Sequence, residues 1–233
     1  TKIVAVNHIS NALGTINPIA EMIQKAHKVG AAFLVDGAQA VPHLKPDVKA
    51  LDCDFYVFSG HKMCGPTGTG ILYGKESWLN RLPPYQGGGE MISSVKFEKT
   101  TYNEIPYKFE AGTPNIADVI GMGAGLNYFS SIDQKGAHAH ENAMLKYAED
   151  KLSAIEGVRL IGTAKEKASV VSFVIDGLNA MDVGMYLDTL GIAVRTGQHC
   201  TEPVMDRFCI PGTIRASFLF YNTFAEIDTL TEG

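Results

Sequence analysis

The sequence predicts an α/β protein: a mainly parallel sheet first, then a smaller α+β domain. Three observations carry this expectation. Ala32-Phe33-Leu34-Val35 and Phe55-Tyr56-Val57-Phe58 are continuous apolar runs, as strands covered on both faces should be. Ile19, Met22, Ile23, Ala26 and Val29 form one helical stripe between the first two strands, so residues 2–36 make a β-α-β unit with a right-handed crossover. After a long helical stretch the order becomes strand, strand, helix, strand, strand, helix. The boundary is placed between residues 131 and 132, giving a large domain 1–131 and a small domain 132–233.

In chain order, Lys2 to Val6 reads as the first strand, already inside a sheet. Asn17-Pro18 is a helix start with proline in the first turn, Glu21 and Lys25 are spaced as an exposed ion pair, and Gly30 is a stop. Val48 to Leu51 is a short helical turn before the strand Phe55 to Phe58. Gly70 to Tyr73 follows a tight turn and is expected to pair antiparallel. From Trp78 to Thr113 the chain reads as irregular, with Pro83-Pro84, Gly87-Gly88-Gly89 and Pro106; so long a loop is usually functional or joins subunits. Thr113-Pro114 opens a helix to about Phe129, whose Gly121, Gly123 and Gly125 permit close packing. A second helix, Asp133 to Ile155, shows Met144, Ala148, Leu152 and Ile155 on one face. The small domain then takes strands Val158–Ile161, Ser169–Ile175, Ile192–Arg195 and Arg215–Phe220. One helix runs from the cap Asn179 to the stop Gly191, striped by Val183, Tyr186, Leu187 and Leu190, and another closes the chain.

Bulk properties remove several function classes. A net charge of −5 gives no basic footprint for nucleic acid, and no apolar run reaches membrane-spanning length. Thr1-Lys2-Ile3-Val4 is not a signal peptide. Cys53, Cys64, Cys200 and Cys209 show no Cys-x-x-Cys spacing and are too few for a disulfide framework, so a reducing, cytoplasmic setting is expected. His138 and His140 point to different helix faces, and no metal site is expected.

Three residues stand out chemically. Lys62 ends the strand in Ser59-Gly60-His61-Lys62, where a lysine either snorkels into water or forms a Schiff base with an aldehyde cofactor. Asp36 closes the run Phe33 to Val35, where parallel sheets place their ligands; it is either a turn residue or a carboxylate that keeps a pyridine nitrogen protonated. Cys200 lies in the polar loop Gly197-Gln198-His199-Cys200, between arginines in sequence; it is either a small hydrophobe or a nucleophilic thiol.

Ordered motifs join these residues: His8-Ile-Ser-Asn11-Ala-Leu-Gly-Thr15, Val35-Asp36-Gly-Ala-Gln39, Ser59-Gly-His61-Lys62, Gly87-Gly-Gly89, Glu110-Ala-Gly-Thr113-Pro-Asn115, Arg195-Thr-Gly-Gln-His-Cys200, Arg215-Ala-Ser217 and Tyr221-Asn222-Thr223. Together they resemble the pyridoxal-phosphate-dependent cysteine desulfurases and selenocysteine lyases, class V of the aminotransferase-like fold, and within them the bacterial sulfur-mobilisation (Suf) branch. The resemblance implies a fold-type I transferase, pyridoxal 5'-phosphate as cofactor, and a large domain present only in its C-terminal portion. It makes Lys62 the Schiff-base lysine that also moves the substrate α-proton. It assigns Asp36 to the pyridine nitrogen, Gln39 to the phenolic oxygen, and Ser59 and His61 to the phosphate. Thr113 would reach the phosphate of a partner subunit's cofactor, or serve simply as a helix N-cap. Asn11 and Arg215 would clamp the substrate carboxylate, with Arg195 nearby, and Cys200 would take the sulfur as a persulfide. Gln198 departs from the histidine that other members commonly carry there, and Cys209 is left open for a part in sulfur handling. The implied partners are L-cysteine or L-selenocysteine, a Suf-type sulfur acceptor feeding iron–sulfur cluster assembly, and a second copy in a homodimer. Two alternatives stay open: a selenocysteine lyase or broader class V lyase, and an inert truncated fragment, since family members carry a long segment before the strand that opens this chain.

Overall fold

A strand, a helix and a strand open the chain: β1 (Ile3–Asn7), α1 (Ile19–Lys28) and β2 (Ala32–Asp36). The computed structural model describes residues 1–233 and divides them into two units. The first comprises residues 1–6, 19–42 and 46–131; the second comprises 7–18, 43–45 and 132–233.

In the first unit, α1 buries Ile19, Ile23 and Ala26, while Val29, expected on that stripe, falls past the helix end and is exposed. α2 (Val48–Leu51) is capped by Asp47, whose carboxylate accepts from the Lys49 and Ala50 amides. β3 (Phe55–Ser59) runs parallel to β2, and β4 (Gly70–Gly74) pairs antiparallel with β3. The sheet order is β1-β2-β3-β4, with Phe33, Val35, Cys53 and Tyr56 packed beside Ile19 and Ile23. Beneath β3, buried Asp54 accepts from the Phe33 amide at 2.7 Å and the Trp78 indole at 3.0 Å and bonds His27 Nε2 at 2.8 Å.

The stretch from Trp78 to Thr113 is more ordered than expected. It holds most of α3 (Glu76–Arg81), a hairpin of β5 (Ile92–Val95) and β6 (Thr100–Tyr102), and a 3-10 turn at Tyr107–Phe109. Ser94 pairs with Thr101 and Val95 with Thr100, and a register shift falls at Ser93, so the hairpin lacks the clean period-two pattern that marks a half-buried strand. α4 (Ile116–Ser131) begins later than expected. Gly112 has φ +79°, Pro114 disfavours a helical Thr113, and Asn115 Oδ1 accepts from the Asp118 amide at 3.4 Å.

In the second unit, α5 (Gln134–Ser153) starts from Asp133, whose side chain accepts from the Lys135 amide; Ile155 lies beyond its end and is partly exposed. β7 (Val158–Ile161), β8 (Val170–Ile175), β9 (Arg195–Gly197) and β10 (Thr213–Ser217) form an antiparallel sheet in the order β7-β8-β10-β9. Ile192 and Val194, expected in a strand, pack on the core just ahead of β9. α6 (Ala180–Thr189) buries Leu187 but exposes Tyr186, and Leu190 just past its end is exposed as well. α7 (Glu202–Phe208), within the expected loop, is a seven-residue helix with proline in its first turn. α8 (Phe224–Glu232) opens with a capping box between Thr223 and Glu226. Met144, Ala148, Leu152, Val171, Phe173, Ile214 and Ile227 form the core. Ser172 Oγ donates to the Ala12 carbonyl and ties residues 7–18 to β8.

Candidate functional site

Of the residues expected from sequence to hold a cofactor, Asp36, Gln39, Ser59, His61 and Lys62 lie at the carboxyl ends of β2 and β3, and Thr113 does not. Asp36 is the last residue of β2, in register with Val57 of the parallel neighbour. The Gly37 amide donates to the Val57 carbonyl at 2.8 Å, and Asp36 Oδ1 accepts from the Ala38 amide at 2.9 Å. A Cβ at Gly37 would sit 2.0 Å from the Tyr56 ring, so only glycine lets the chain turn here. The same turn carries half-buried Gln39.

Ser59 ends β3, and Gly60–Lys62 form one 3-10 turn with His61 exposed and Lys62 half-buried. The turn is closed from three sides. The Gly60 amide donates to Thr69 O at 2.9 Å, the Gly65 amide to Gly60 O at 3.1 Å, and Met63 is buried. In α4, a Cβ at Gly125 would stand 2.6 Å from the Cys64 carbonyl oxygen, and one at Gly121 would meet the Pro66 ring at 3.3 Å. Gly123 faces open space, so two of the three helix glycines serve close packing. The backbone that carries Lys62 is thus closely packed. Thr113 is exposed in the loop before α4, and Asn115 rather than Thr113 caps that helix. An acid, an amide, a hydroxyl, an imidazole and an amine at adjacent strand ends fit a phosphorylated pyridine aldehyde.

Asn11, Arg195, Cys200 and Arg215, expected from sequence to meet substrate and sulfur, all lie in the second unit. Arg215 of β10 pairs across the sheet with Arg195 of β9, two cations directly opposed. Arg215 Nη1 donates to the Asn11 carbonyl at 2.6 Å, and its Nε is buried without a hydrogen-bond partner. Burial, then the charge of Arg195, press Arg215 below the ordinary arginine range. A guanidinium so placed lacks an anion. Asn11 Nδ2 donates to the His199 carbonyl at 2.8 Å, and His199 Nε2 bonds Thr213 Oγ1 at 2.9 Å. Burial, then the charge of Arg215, lower the His199 pKa to about 4, which keeps the ring neutral.

His199 and Cys200 both adopt left-handed backbone, φ 54° and 59°. Cys200 is exposed at the crest of this pair. Cys53 is fully buried, and burial pushes its thiol up. Burial also pushes up the thiol of Cys64, and Cys209 is exposed at the end of α7. His199 and Thr213, which support the Cys200 loop, did not stand out in the sequence; only the run of polar residues before Cys200 hinted at them. No group of acidic, histidine and cysteine side chains is suited to hold a metal, and no helix is long and apolar enough to cross a membrane.

A family model described as aminotransferase class-V matches residues 1–230. A cysteine desulfurase of Synechococcus elongatus is 53% identical over 230 residues, which cover 99% of this chain and 37% of the relative. A cysteine desulfurase of Escherichia coli is 50% identical over 234 residues, covering 100% of this chain and 57% of the relative. The crystal structure of the E. coli cysteine desulfurase CsdA (S-sulfonic acid) superposes with a TM-score of 0.95 at 40% identity, covering 99% of this chain and 57% of that one. The complex of the cystine C-S lyase C-DES with its reaction product cysteine persulfide superposes at 0.85 with 25% identity, covering 100% of this chain and 60% of that one. The chain therefore spans 37% to 57% of the two curated relatives. Since the family match runs from residue 1 to residue 230, the chain belongs to the class-V aminotransferase family.

Proposed function

We propose that this chain carries the working residues of a pyridoxal-phosphate-dependent cysteine desulfurase, which converts L-cysteine to L-alanine and hands the sulfur on as a persulfide. One observation carries the reading. An exposed thiol, Cys200, stands on a loop tied through Asn11 to half-buried Arg215, whose buried Nε has no hydrogen-bond partner, which supports a nucleophile and a carboxylate receptor held by one residue. Residues 1–131 are read as part of the large cofactor domain and 132–233 as the small domain.

When bound, pyridoxal phosphate supplies an electron sink for the substrate's α-carbon. Lys62 holds it and moves the α-proton. Asp36, whose Oδ1 accepts from the Ala38 amide, would keep the pyridine nitrogen protonated. Gln39 serves the phenolic oxygen, Ser59 and His61 the phosphate, and Thr113 the phosphate of a partner's cofactor. Arg215, with Asn11 and Arg195, takes the substrate carboxylate. The Cys200 thiolate attacks the substrate sulfur; the new S–S bond forms as the C–S bond breaks. The bonding pair returns to carbon, which takes a proton to give alanine, and Cys200 is left as a persulfide.

The sulfur then passes to a Suf-type acceptor for iron–sulfur cluster assembly. Four free cysteines support a reducing, cytoplasmic setting. Exposed Ile116, Val119, Ile120 and Tyr128 on α4 support a covered face in a homodimer. The test is to add pyridoxal phosphate to the purified chain, reduce with borohydride and map the label by mass spectrometry. The cofactor's visible band and a label on Lys62, both lost in Lys62→Ala, are expected. A label on other lysines alone, or no band at all, contradicts the assignment.

A further inference from the structure

Strand β10 and the loop after β9 meet at Asn11. Its backbone carbonyl accepts from Arg215 Nη1 at 2.6 Å, and its side-chain amide donates to the His199 carbonyl at 2.8 Å. The carboxylate receptor and the sulfur loop are therefore joined through one residue. The His199–Cys200 pair needs such a hold. Two consecutive non-glycine residues at φ 54° and 59° are disfavoured unless their surroundings fix them. The other holds are local: His199 Nε2 on Thr213 Oγ1, and the Thr201 amide on the Gln198 carbonyl at 2.9 Å. A primary amide has two N–H donors. One of those on Asn11 serves His199, and the second is available to an oxygen acceptor in the same plane. Arg215 Nε, buried without a partner beside it in the chain of bonds, is a second donor of the same kind.

We propose that Asn11 is a positioning residue that clasps the substrate carboxylate and the Cys200 loop with one amide, so that a carboxylate seated on Arg215 stiffens the loop and fixes the attacking thiol. A carboxylate held by the second N–H fixes the plane of the Asn11 amide and so keeps the first N–H on the His199 carbonyl. The loop is then tightest when the substrate is in place, and a thiol compound lacking a carboxylate does not tighten it. Asn11 therefore acts in specificity as well as in binding. This inference rests on the reading of Arg215 as the carboxylate receptor.

The test uses the whole chain with acetate as probe, at constant ionic strength against chloride. The Arg215 Nε–H resonance, identified by its loss in Arg215→Lys, reports binding. Amide exchange of the peptide spanning residues 197–201 reports the loop. Acetate should shift the resonance and slow the exchange about fivefold, the factor one net hydrogen bond supports. In Asn11→Ala the exchange should be fast and indifferent to acetate. Asn11→Asp, which keeps the shape but cannot donate, should also exchange fast; circular dichroism checks that both variants fold. A shifted resonance with unchanged or faster exchange in the parent overturns the clasp and leaves the receptor standing. A resonance that acetate does not move overturns both. An Asn11→Ala loop that still slows with acetate assigns the coupling elsewhere and overturns the proposal.

Discussion

Adding one methyl group to α4 should have opposite effects at two glycines two residues apart. At Gly125 the new Cβ would lie 2.6 Å from the Cys64 carbonyl oxygen and 2.9 Å from the Gly65 amide nitrogen. Ordinary contact begins at 3.4 Å, so the loop or the helix must retreat by about 0.8 Å. The obstructing atoms are backbone and cannot rotate away. Such overpacking costs about 1–3 kcal/mol, against which glycine to alanine in a helix returns up to about 1 kcal/mol. Gly125→Ala should therefore be destabilised by roughly 1–2 kcal/mol. At Gly123 nothing lies within 4 Å, and Gly123→Ala should gain about 0.5–1 kcal/mol. Trp78, the chain's one tryptophan, is in this unit, so its fluorescence in urea reads the relevant transition. The displaced loop begins two residues after Lys62, so Gly125→Ala should also load pyridoxal phosphate more slowly than Gly123→Ala. Equal urea midpoints and equal loading would refute the claim that α4 fixes the lysine turn.

Asp36→Asn should still take up the cofactor, because Lys62 is untouched, yet lose about a thousandfold or more in turnover, since an amide cannot keep the pyridine nitrogen protonated; near-parental turnover in an otherwise active protein would remove Asp36 from the site. His199 should make the second unit acid-sensitive. Its folded pKa is about 4 against an ordinary value of 6.5, so above pH 6.5 neither state carries its proton and stability is flat. Below 6.5 only the unfolded chain binds the proton, and roughly 3 kcal/mol is lost by about pH 4. His199→Asn, which tolerates left-handed backbone, should flatten that slope in urea titrations followed by circular dichroism; an unchanged slope would show that His199 is not the responsible group.

The elements that were legible in the sequence share one property: their apolar residues recur with the period of the structure they form. β2 and β3 are continuous apolar runs, and α1 and α5 carry stripes, so packing and pattern agree. The β5–β6 hairpin and α7 escaped because one mixes polar and apolar residues on both faces and the other is a single short helix in a polar loop. The start of α4 was misplaced because threonine before proline mimics a cap, while the capping is done by Asn115. At the site, reactive residues could be named from chemistry and motif, but their supports could not. The bond from Asn11 to His199 spans 188 residues and that from Arg215 to Asn11 spans 204, and no local spacing encodes either.

The central claim is that Cys200 takes sulfur from cysteine. The direct measurement is mass spectrometry of a cofactor-loaded, active form of the protein after exposure to L-cysteine, compared with Cys200→Ala and with L-selenocysteine as second substrate. One additional sulfur on the Cys200 peptide is expected, with alanine released in equal amount. Cys200→Ala should lose both with cysteine while keeping a substantial share of selenocysteine elimination, because a selenol is the more acidic leaving group and needs less help. Full cysteine activity in Cys200→Ala, or an added sulfur on Cys209 in place of Cys200, would contradict the account.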